Sequence, residues 1–156
     1  MDALDRRILR IIQHDASLSA ESLAEQCGSS PSTILRRLAQ LRKEKIIGSQ
    51  VAIIDAAAVG RPLQMIVRVG LKNETIGQKR EFVDEIKAHP GVSQFYFVTG
   101  NEDYVIFFNA RSMEEYDDFV QSLLISRDFV KTAFCNVVIR PIKSGFTVPV
   151  DEPDAA

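Results

Sequence analysis

Five polar side chains between Ser32 and Lys43 carry groups that could recognise a ligand. They are two hydroxyls, a guanidinium, an amide and an ammonium group, and they belong to Ser32, Thr33, Arg36, Gln40 and Lys43. On an α-helix, which turns by about 100° per residue, all five project from one side. Guanidinium and amide groups can form paired hydrogen bonds to the edges of guanine and adenine. The pattern therefore predicts a helix that enters the major groove of DNA.

Two short helices joined by a tight turn would position this polar face. The first covers residues 19–27 and opens on Ser19, whose hydroxyl can cap the helix. Gly28 begins the turn. Ser30 then caps the second helix, and Pro31 occupies its first position, where the missing N–H costs nothing. This order of cap, turn and cap is typical of a helix-turn-helix.

An apolar stripe on the second helix indicates which side is buried. Ile34, Leu38 and Leu41 recur at the spacing of one helical face, opposite the polar side chains. A further helix is predicted from Asp2 to His14, with Asp2 and Asp5 as a capping pair. Three short helices around one apolar cluster would make a complete helix-turn-helix domain. The alternative interpretation is a helical hairpin whose basic face is only solvated.

The predicted DNA contacts divide by chemistry into base contacts and phosphate contacts. Base edges are expected to pair with four of the polar side chains, Ser32, Thr33, Arg36 and Gln40. Phosphates are expected to meet cations and the hydroxyls at helix N-termini, which are Arg37, Lys43, Ser19 and Ser30.

The distribution of charge supports an N-terminal DNA-binding domain followed by a domain with a different function. The net charge is −2, which by itself does not favour a nucleic-acid partner. Residues 1–50, however, contain eight Lys and Arg against six Asp and Glu, whereas residues 51–156 contain eleven against fifteen. Between Pro31 and Lys45 there are five cations and one Glu. Positive potential is therefore concentrated on the predicted reading helix.

Other classes of site have little support in the sequence. Cys27 and Cys135 are far apart and form no CxxC pair, which is typical of small buried hydrophobes in a reducing compartment. His14 and His89 have no partners at metal-ligand spacing. No metal and no cofactor are expected. No apolar run reaches the length of a membrane span and the N-terminus is not signal-like, so a cytoplasmic protein without membrane contact is expected.

After the predicted reading helix, the chain is expected to form a strand over 46–54, either a β-wing or a connecting strand, and then a β-α-β-β-α-β unit. The four strands of that unit are predicted at 65–72, 92–99, 104–110 and 130–142, and its helices at 76–89 and 112–125. This order is that of a ferredoxin-like domain. The fold class is therefore α+β. The expected domains are a helix-turn-helix over 1–50, a connecting strand and hinge over 51–62, a ferredoxin-like domain over 63–145, and a tail over 146–156 that is disordered from Pro149.

The predicted strands are apolar on both faces. Phe95 and Phe97 alternate with Tyr96 and Val98, and Val105 to Phe108 are all apolar. Two helices can cover only one face of such a sheet, so the other face must meet a further apolar surface. A second copy of the same sheet, related by a two-fold axis, is the economical solution. The sequence therefore predicts a homodimer, whose DNA site would be pseudo-palindromic.

This chain resembles the Lrp/AsnC family of bacterial and archaeal transcription regulators from Asp2 to about Lys143. The resemblance rests on Asp2-x-x-Asp5-x-x-Ile8-Leu9, on Gly28-x-Ser30-Pro31, on Arg36-Arg37-Leu38-x-x-Leu41, on Ile46-Ile47-x-Ser49 and on Val98-Thr99-Gly100-x-x-Asp103-Tyr104. Three positions depart from the family pattern. Ser29 replaces the usual Leu of the turn, Ala39 stands where the family often has a cation, and Lys45 replaces the usual Gly after the reading helix.

The resemblance implies a winged helix-turn-helix joined to a ferredoxin-like effector domain, with dimers that pair through their sheets and often assemble into octamers. It also implies an amino acid or related metabolite as effector, bound near the loop between the middle strands. By position, the implied effector contacts are Thr99, Gly100, Asn101, Glu102, Asp103, Tyr104 and Asn136. Asp103 and Glu102 could receive an α-ammonium group, although the residues alone favour a loop in which Asp103 caps its own turn.

The expected function is sequence-specific DNA binding by a transcriptional regulator whose assembly or DNA affinity responds to an amino acid. Two alternatives remain. One is an enzyme, because sirohaem decarboxylases share this two-part architecture, although they would need His and Arg side chains gathered in a cleft. The other is an architectural DNA-binding protein that has no effector.

Overall fold

The computed structural model describes residues 1–151 and divides into two compact units. The first contains Met1–Ala52 together with the described residues from Lys143 onward, and the second contains Ile53–Ile142. None of the helices in this described part is long and apolar enough to cross a membrane.

Three helices form the first unit, as the sequence predicts. They are α1 (Ala3–Ile12), α2 (Ala20–Cys27) and α3 (Pro31–Lys43). Asp2 and Asp5 close a reciprocal capping box on α1, and Ser19 and Ser30 cap the other two helices. Gly28 has a φ of 64°, which lets the chain turn sharply between α2 and α3. The core of this unit includes the predicted stripe of α3 and consists of Ile8, Leu23, Ala24, Cys27, Ile34, Leu38 and Leu41.

The strand predicted over 46–54 does not form within this chain. Lys45 adopts the left-handed conformation, with a φ of 59°, and the amides of Ile46 and Ile47 donate back to the Leu41 carbonyl at 3.0 and 3.2 Å. These bonds close α3 instead of opening a strand. The following residues have β-branched side chains suited to a strand, but Val51 and Ile53 are 74% and 84% exposed and pair with no other described strand.

The segment after Lys143 contacts α1 instead of extending freely. The Arg6 guanidinium donates to the Asp151 carbonyl at 2.8 Å, and Arg10 donates to the Val150 carbonyl at 3.3 Å. The amide of Val148 donates to the Gln13 side chain at 3.0 Å. Arginines on one side of α1 therefore hold the start of the segment predicted to be disordered, whereas its residues 152–156 lie outside the described part of the chain.

The second unit has the β-α-β-β-α-β order that the sequence predicts. Its elements are β1 (Leu63–Leu71), α4 (Ile76–Ala88), β2 (Val92–Phe97), β3 (Tyr104–Ala110), α5 (Met113–Val120), a π-helical turn (Gln121–Ile125) and β4 (Val130–Val137). The sheet order is β2-β3-β1-β4, and all neighbouring strands are antiparallel. This is the ferredoxin-like topology. The last strand ends at Val137, before the predicted limit of Ile142.

Both helices pack on one face of the sheet. Phe82 and Ile86 of α4 and Phe119 of α5 are fully or almost fully buried there, and the Phe119 ring stacks on Phe108 at 4.4 Å between centroids. Gly91 permits this packing, since a Cβ at that position would lie 2.6 Å from the Phe108 ring.

The opposite face of the sheet, here called the open face, is apolar at its centre. The register places Ile66 between Phe107 and Asn136, and Arg68 between Val105 and Phe134. Tyr96 and Phe134 on this face are 46% and 49% exposed. Both faces carry apolar side chains, as predicted, although Arg68 and Asn136 lie among them on the open face. Only the other face is covered by helices within the described chain.

Candidate functional site

The polar face of α3 is open to solvent along most of its length. Ser32, Arg36, Gln40 and Lys43 are exposed and Thr33 is half-buried. On the other side, Ile34, Leu38 and Leu41 are buried in the helical core. The Gln40 amide donates to the Glu44 carboxylate one turn further along the helix. Burial therefore divides the helix as the sequence predicts, with donors and acceptors facing outward.

The hydroxyls predicted at helix N-termini have local partners that order the start of each helix. Ser30 Oγ accepts from the Thr33 amide at 3.3 Å and donates to Thr33 Oγ1 at 2.9 Å. Ser30 Oγ also lies 3.2 Å from Ser32 Oγ. Ser19 Oγ accepts from the Ser22 amide at 3.2 Å. These contacts fix the N-termini of α3 and α2, where the helix dipole favours an anion.

Arg37, which the sequence predicts as a phosphate contact, faces α1. Its Nη2 lies 2.7 Å from Asp2 Oδ2, and its Nη1 lies 3.2 Å from Asp5 Oδ1. The two carboxylates are the same ones that close the capping box on α1. Sequence reasoning treated Asp2 and Asp5 only as caps of α1 and did not find this link.

Asp103 ties the loop after β2 to the end of β1. Its Oδ2 accepts from the Leu71 amide at 2.7 Å, and its own amide donates to the Val69 carbonyl at 2.9 Å. Its carbonyl accepts from the Val98 amide at 2.8 Å, which closes the loop. Gly100 within the loop has a φ of 133°, which favours glycine. The carboxylate therefore reaches across to β1 instead of capping its own turn.

The rest of the loop presents polar groups beside Arg68. Thr99, Gly100 and Asn101 are exposed, whereas Glu102 is half-buried and lies 3.8 Å from the Arg68 guanidinium. Arg68 also lies 5.6 Å from the centre of the Phe134 ring. The Glu102 carboxylate of the loop thus lies beside a guanidinium of β1, which in turn lies over an aromatic ring of β4.

Two of the predicted effector residues lie elsewhere. Tyr104 is 3% exposed and packs among Phe82, Phe95 and Phe97, with ring centroids 5.1–5.7 Å apart. Burial raises the pKa of its hydroxyl, with smaller contributions from the nearby carboxylates Asp103 and Glu74. Tyr104 is therefore a core residue.

Asn136 is exposed on the open face opposite Ile66, not opposite the loop. Four residues of strand, or roughly 13 Å, separate Ile66 from Gly70. Thr132 is the residue that pairs with Gly70, and a Cβ at Gly70 would lie 2.6 Å from Thr132 Oγ1 and 3.8 Å from the Asn101 carbonyl. Sequence reasoning missed Thr132. Gly70, a glycine within a strand rich in β-branched residues, was the sequence signal that another side chain approaches the backbone closely there.

Metal binding has no geometric support in the described residues, which contain no group of three His, Cys, Asp or Glu side chains that could hold an ion.

Comparison with family models assigns both units. Residues 1–42 match the AsnC-type helix-turn-helix domain, and residues 64–148 match the Lrp/AsnC ligand binding domain. The HTH-type transcriptional regulator y4tD of Sinorhizobium fredii is 34% identical over 97% of this chain and 89% of its own length. The HTH-type transcriptional regulator AldR of Mycolicibacterium smegmatis is 36% identical over 77% of this chain and 70% of its own.

A solved structure matches nearly the whole chain. It is a transcriptional regulator from Neisseria meningitidis in complex with L-Met, which is 28% identical and has a TM-score of 0.90 over 97% of both chains.

Proposed function

This chain belongs to the Lrp/AsnC family of transcriptional regulators, and on that premise we propose that it reads a two-fold symmetric DNA site through α3 and responds to an amino acid. The observation that carries the proposal is the division of α3 into a buried apolar stripe and an exposed polar face. The amino acid would change either the assembly of the protein or its affinity for DNA.

For DNA, Arg36 would contact guanine and Gln40 would contact adenine, with Ser32 and Thr33 at the N-terminal end of the reading helix. Lys43 would contact phosphate, as would the helix N-termini at Ser19 and Ser30. All of these except Thr33 are exposed, which supports the assignment. Binding to chromosomal DNA would place the protein in the cytoplasm.

For the effector, we place the α-ammonium group of an amino acid at Asp103 and Glu102, beside the backbone of Thr99, Gly100 and Asn101. Asp103 uses one carboxylate oxygen for the Leu71 amide, and the other oxygen can accept a charge-assisted hydrogen bond. The Neisseria regulator that matches this fold was solved with L-Met, which supports an amino acid as ligand. Thr132 is added to the proposed effector site because it lies beside Gly70 and Asn101. Asn136 would contribute only from another chain, and Tyr104 only through its packing in the core.

For assembly, the open face would pack against the same face of a second copy. Half-buried Ile66, Val105 and Phe107 lie at its centre, and the exposed Tyr96 and Phe134 extend it. Burying such a surface in a two-fold contact is favourable because apolar area leaves water. Dimers would assemble further into octamers, as the family resemblance implies.

The placement of the histidines supports a regulator over a sirohaem-decarboxylase-like enzyme. His89 packs against Phe108 and Phe119 with centroids 5.4 and 5.1 Å away, and His14 is exposed in the other unit. Tetrapyrrole carboxylates would need histidines gathered with several arginines in one cleft, whereas these two histidines lie in different units.

The proposal is tested by titrating the full chain into its selected DNA with and without amino acids, L-Met first. We expect at least one amino acid to change the apparent Kd or the oligomer mass of the wild type. Asp103→Ala should abolish this response, and the surface control Asp84→Ala should retain it. If no amino acid alters DNA affinity, mass or melting temperature, the protein is an effector-independent DNA-binding protein instead.

A further inference from the structure

We infer that Arg37 is a positioning residue of the DNA interface, which holds the reading helix α3 against the N-terminus of α1 and makes no phosphate contact. This inference rests on the proposed reading of DNA by α3.

The guanidinium of Arg37 is shared between two carboxylates. Nη2 lies 2.7 Å from Asp2 Oδ2, and Nη1 donates to Asp5 Oδ1 and Oδ2 at 3.2 and 3.3 Å. The same carboxylates accept from each other's amides at 2.9 Å in the capping box of α1. The capping box and the α1–α3 link are therefore one hydrogen-bonded network.

Burial makes this network difficult to open. Asp5 is 6% exposed, and a buried carboxylate is strongly unfavourable without a charged partner. Arg37 Nε is also buried and has no hydrogen-bond partner among the described residues. If the guanidinium turned outward to reach a phosphate, it would leave the Asp5 carboxylate buried with the Asp2 amide but without a charged partner. The Arg37 guanidinium is therefore strongly favoured in this network over a position in solvent.

The two neighbouring arginines of α3 consequently have different tasks. Arg36 is exposed on the polar face, whereas the Arg37 side chain is 27% exposed and points to α1. Successive residues on a helix are about 100° apart, so one can face DNA while the other faces the protein. Fixing the rotation of α3 about its axis would keep Ser32, Arg36 and Gln40 directed at the groove.

Salt dependence separates positioning from phosphate contact. Each phosphate contact on duplex DNA contributes about 0.9 to the slope of log K against log salt concentration. We expect Lys43→Gln to make that negative slope shallower by about 0.9. Arg37→Gln should weaken specific binding about tenfold while leaving the slope unchanged, because it changes the position of α3 and not the number of phosphate contacts. A slope that falls in Arg37→Gln as it does in Lys43→Gln would overturn the inference.

The conservative variant Arg37→Lys provides a second test, also for the case in which Arg37→Gln fails to fold. A lysine serves a phosphate as a point charge, but it cannot form the forked contact with two carboxylates. We expect Arg37→Lys to lose most of the affinity that Arg37→Gln loses. Binding equal to that of the wild type would contradict the inference.

A double-mutant cycle tests the link to α1 directly. Asn can still cap a helix, so Asp2→Asn preserves the cap while weakening the ion pair. We expect the losses in melting temperature from Asp2→Asn and Arg37→Lys to be clearly non-additive, whereas additive losses would overturn the inference. This readout needs no DNA, so it remains informative if the wild type selects no DNA sequence and the proposed function itself fails.

Discussion

Asp103 and Leu71 are joined by a 2.7 Å hydrogen bond from the Leu71 amide to the Asp103 carboxylate, which fixes the loop after β2 to the end of β1. An asparagine at position 103 can still accept this bond through its carbonyl oxygen, but it carries no charge. The structural role and the proposed ligand role of the side chain are therefore separable.

We expect Asp103→Asn to retain the fold and lose the amino-acid response, because the α-ammonium group would lose its charged partner. Asp103→Ala should lose the response and also about 1 kcal/mol of stability, since the Leu71 amide loses its acceptor. Thermal unfolding with and without L-Met measures both effects. A full ligand-induced shift in Asp103→Asn would place the ammonium site elsewhere.

Sequence preference and general affinity should depend on different residues of α3. Arg36→Ala is expected to relax preference at one base pair, at a cost of about 1–3 kcal/mol on the preferred DNA. Lys43→Ala should weaken binding to every sequence alike, because a phosphate contact carries no base information. Competition binding with single-base variants of the selected DNA measures the difference. Equal losses on all sequences for both variants would refute the assignment.

The open face should be sensitive to charge if it forms the dimer contact. Phe107 is half-buried at its centre, with its ring 6.2 Å from that of Tyr96. We expect Phe107→Asp to convert the dimer into single chains, because a carboxylate would have to be buried against its two-fold mate. Sedimentation or light scattering measures the mass. Ile76→Asp, which changes a 91% exposed side chain at the start of α4, is the matched control and should stay dimeric.

The stability of the second unit should fall as the pH decreases below the ordinary histidine range. Burial lowers the pKa of His89 below 6.5, against the opposing effect of Glu115 and with a smaller effect of Arg61 in the same direction. Its Nδ1 accepts from the Gly91 amide at 3.1 Å, which requires that nitrogen to be unprotonated. The unfolded chain therefore binds a proton at a higher pH than the folded chain.

Because the pKa of His89 is lower in the folded chain, its contribution to the free energy of unfolding is complete above about pH 6.5. That contribution is lost as the pH falls through the folded pKa. We expect His89→Asn, which can still accept from Gly91, to flatten the decline of melting temperature between about pH 7 and 5. His14→Asn, which replaces the exposed histidine of the other unit, is the matched control. An unchanged pH profile in His89→Asn would show that other groups cause the decline.

The fold was largely predictable because its signals are local. Ser19, Ser30 and Pro31 mark helix starts within a few residues of the structure, and runs rich in β-branched and aromatic residues mark the four strands of the second unit. The absence of a strand over 46–54 was not predictable in the same way. Its β-branched residues suit a strand, but a strand also needs a partner, and Lys45 turns the chain back onto α3.

The site was less predictable because its contacts join residues far apart in sequence. Arg37 meets Asp5 across 32 residues, and Leu71 meets Asp103 across the same separation. Residue type alone showed that Arg37 could bind an anion, but not that the anion belongs to α1. Likewise, the strand register, which sequence periodicity does not fix between distant strands, decides that Thr132 and not Asn136 lies beside Gly70.

Selection of bound DNA from a random pool by the full chain tests the central claim most directly. If α3 reads base edges as part of a two-fold dimer, the enriched sequences should share an inverted repeat, and Arg36→Ala should lose enrichment at one position of each half-site. Recovery of the starting pool without enrichment, at a salt concentration where the DNA is bound, would contradict sequence-specific regulation by this chain.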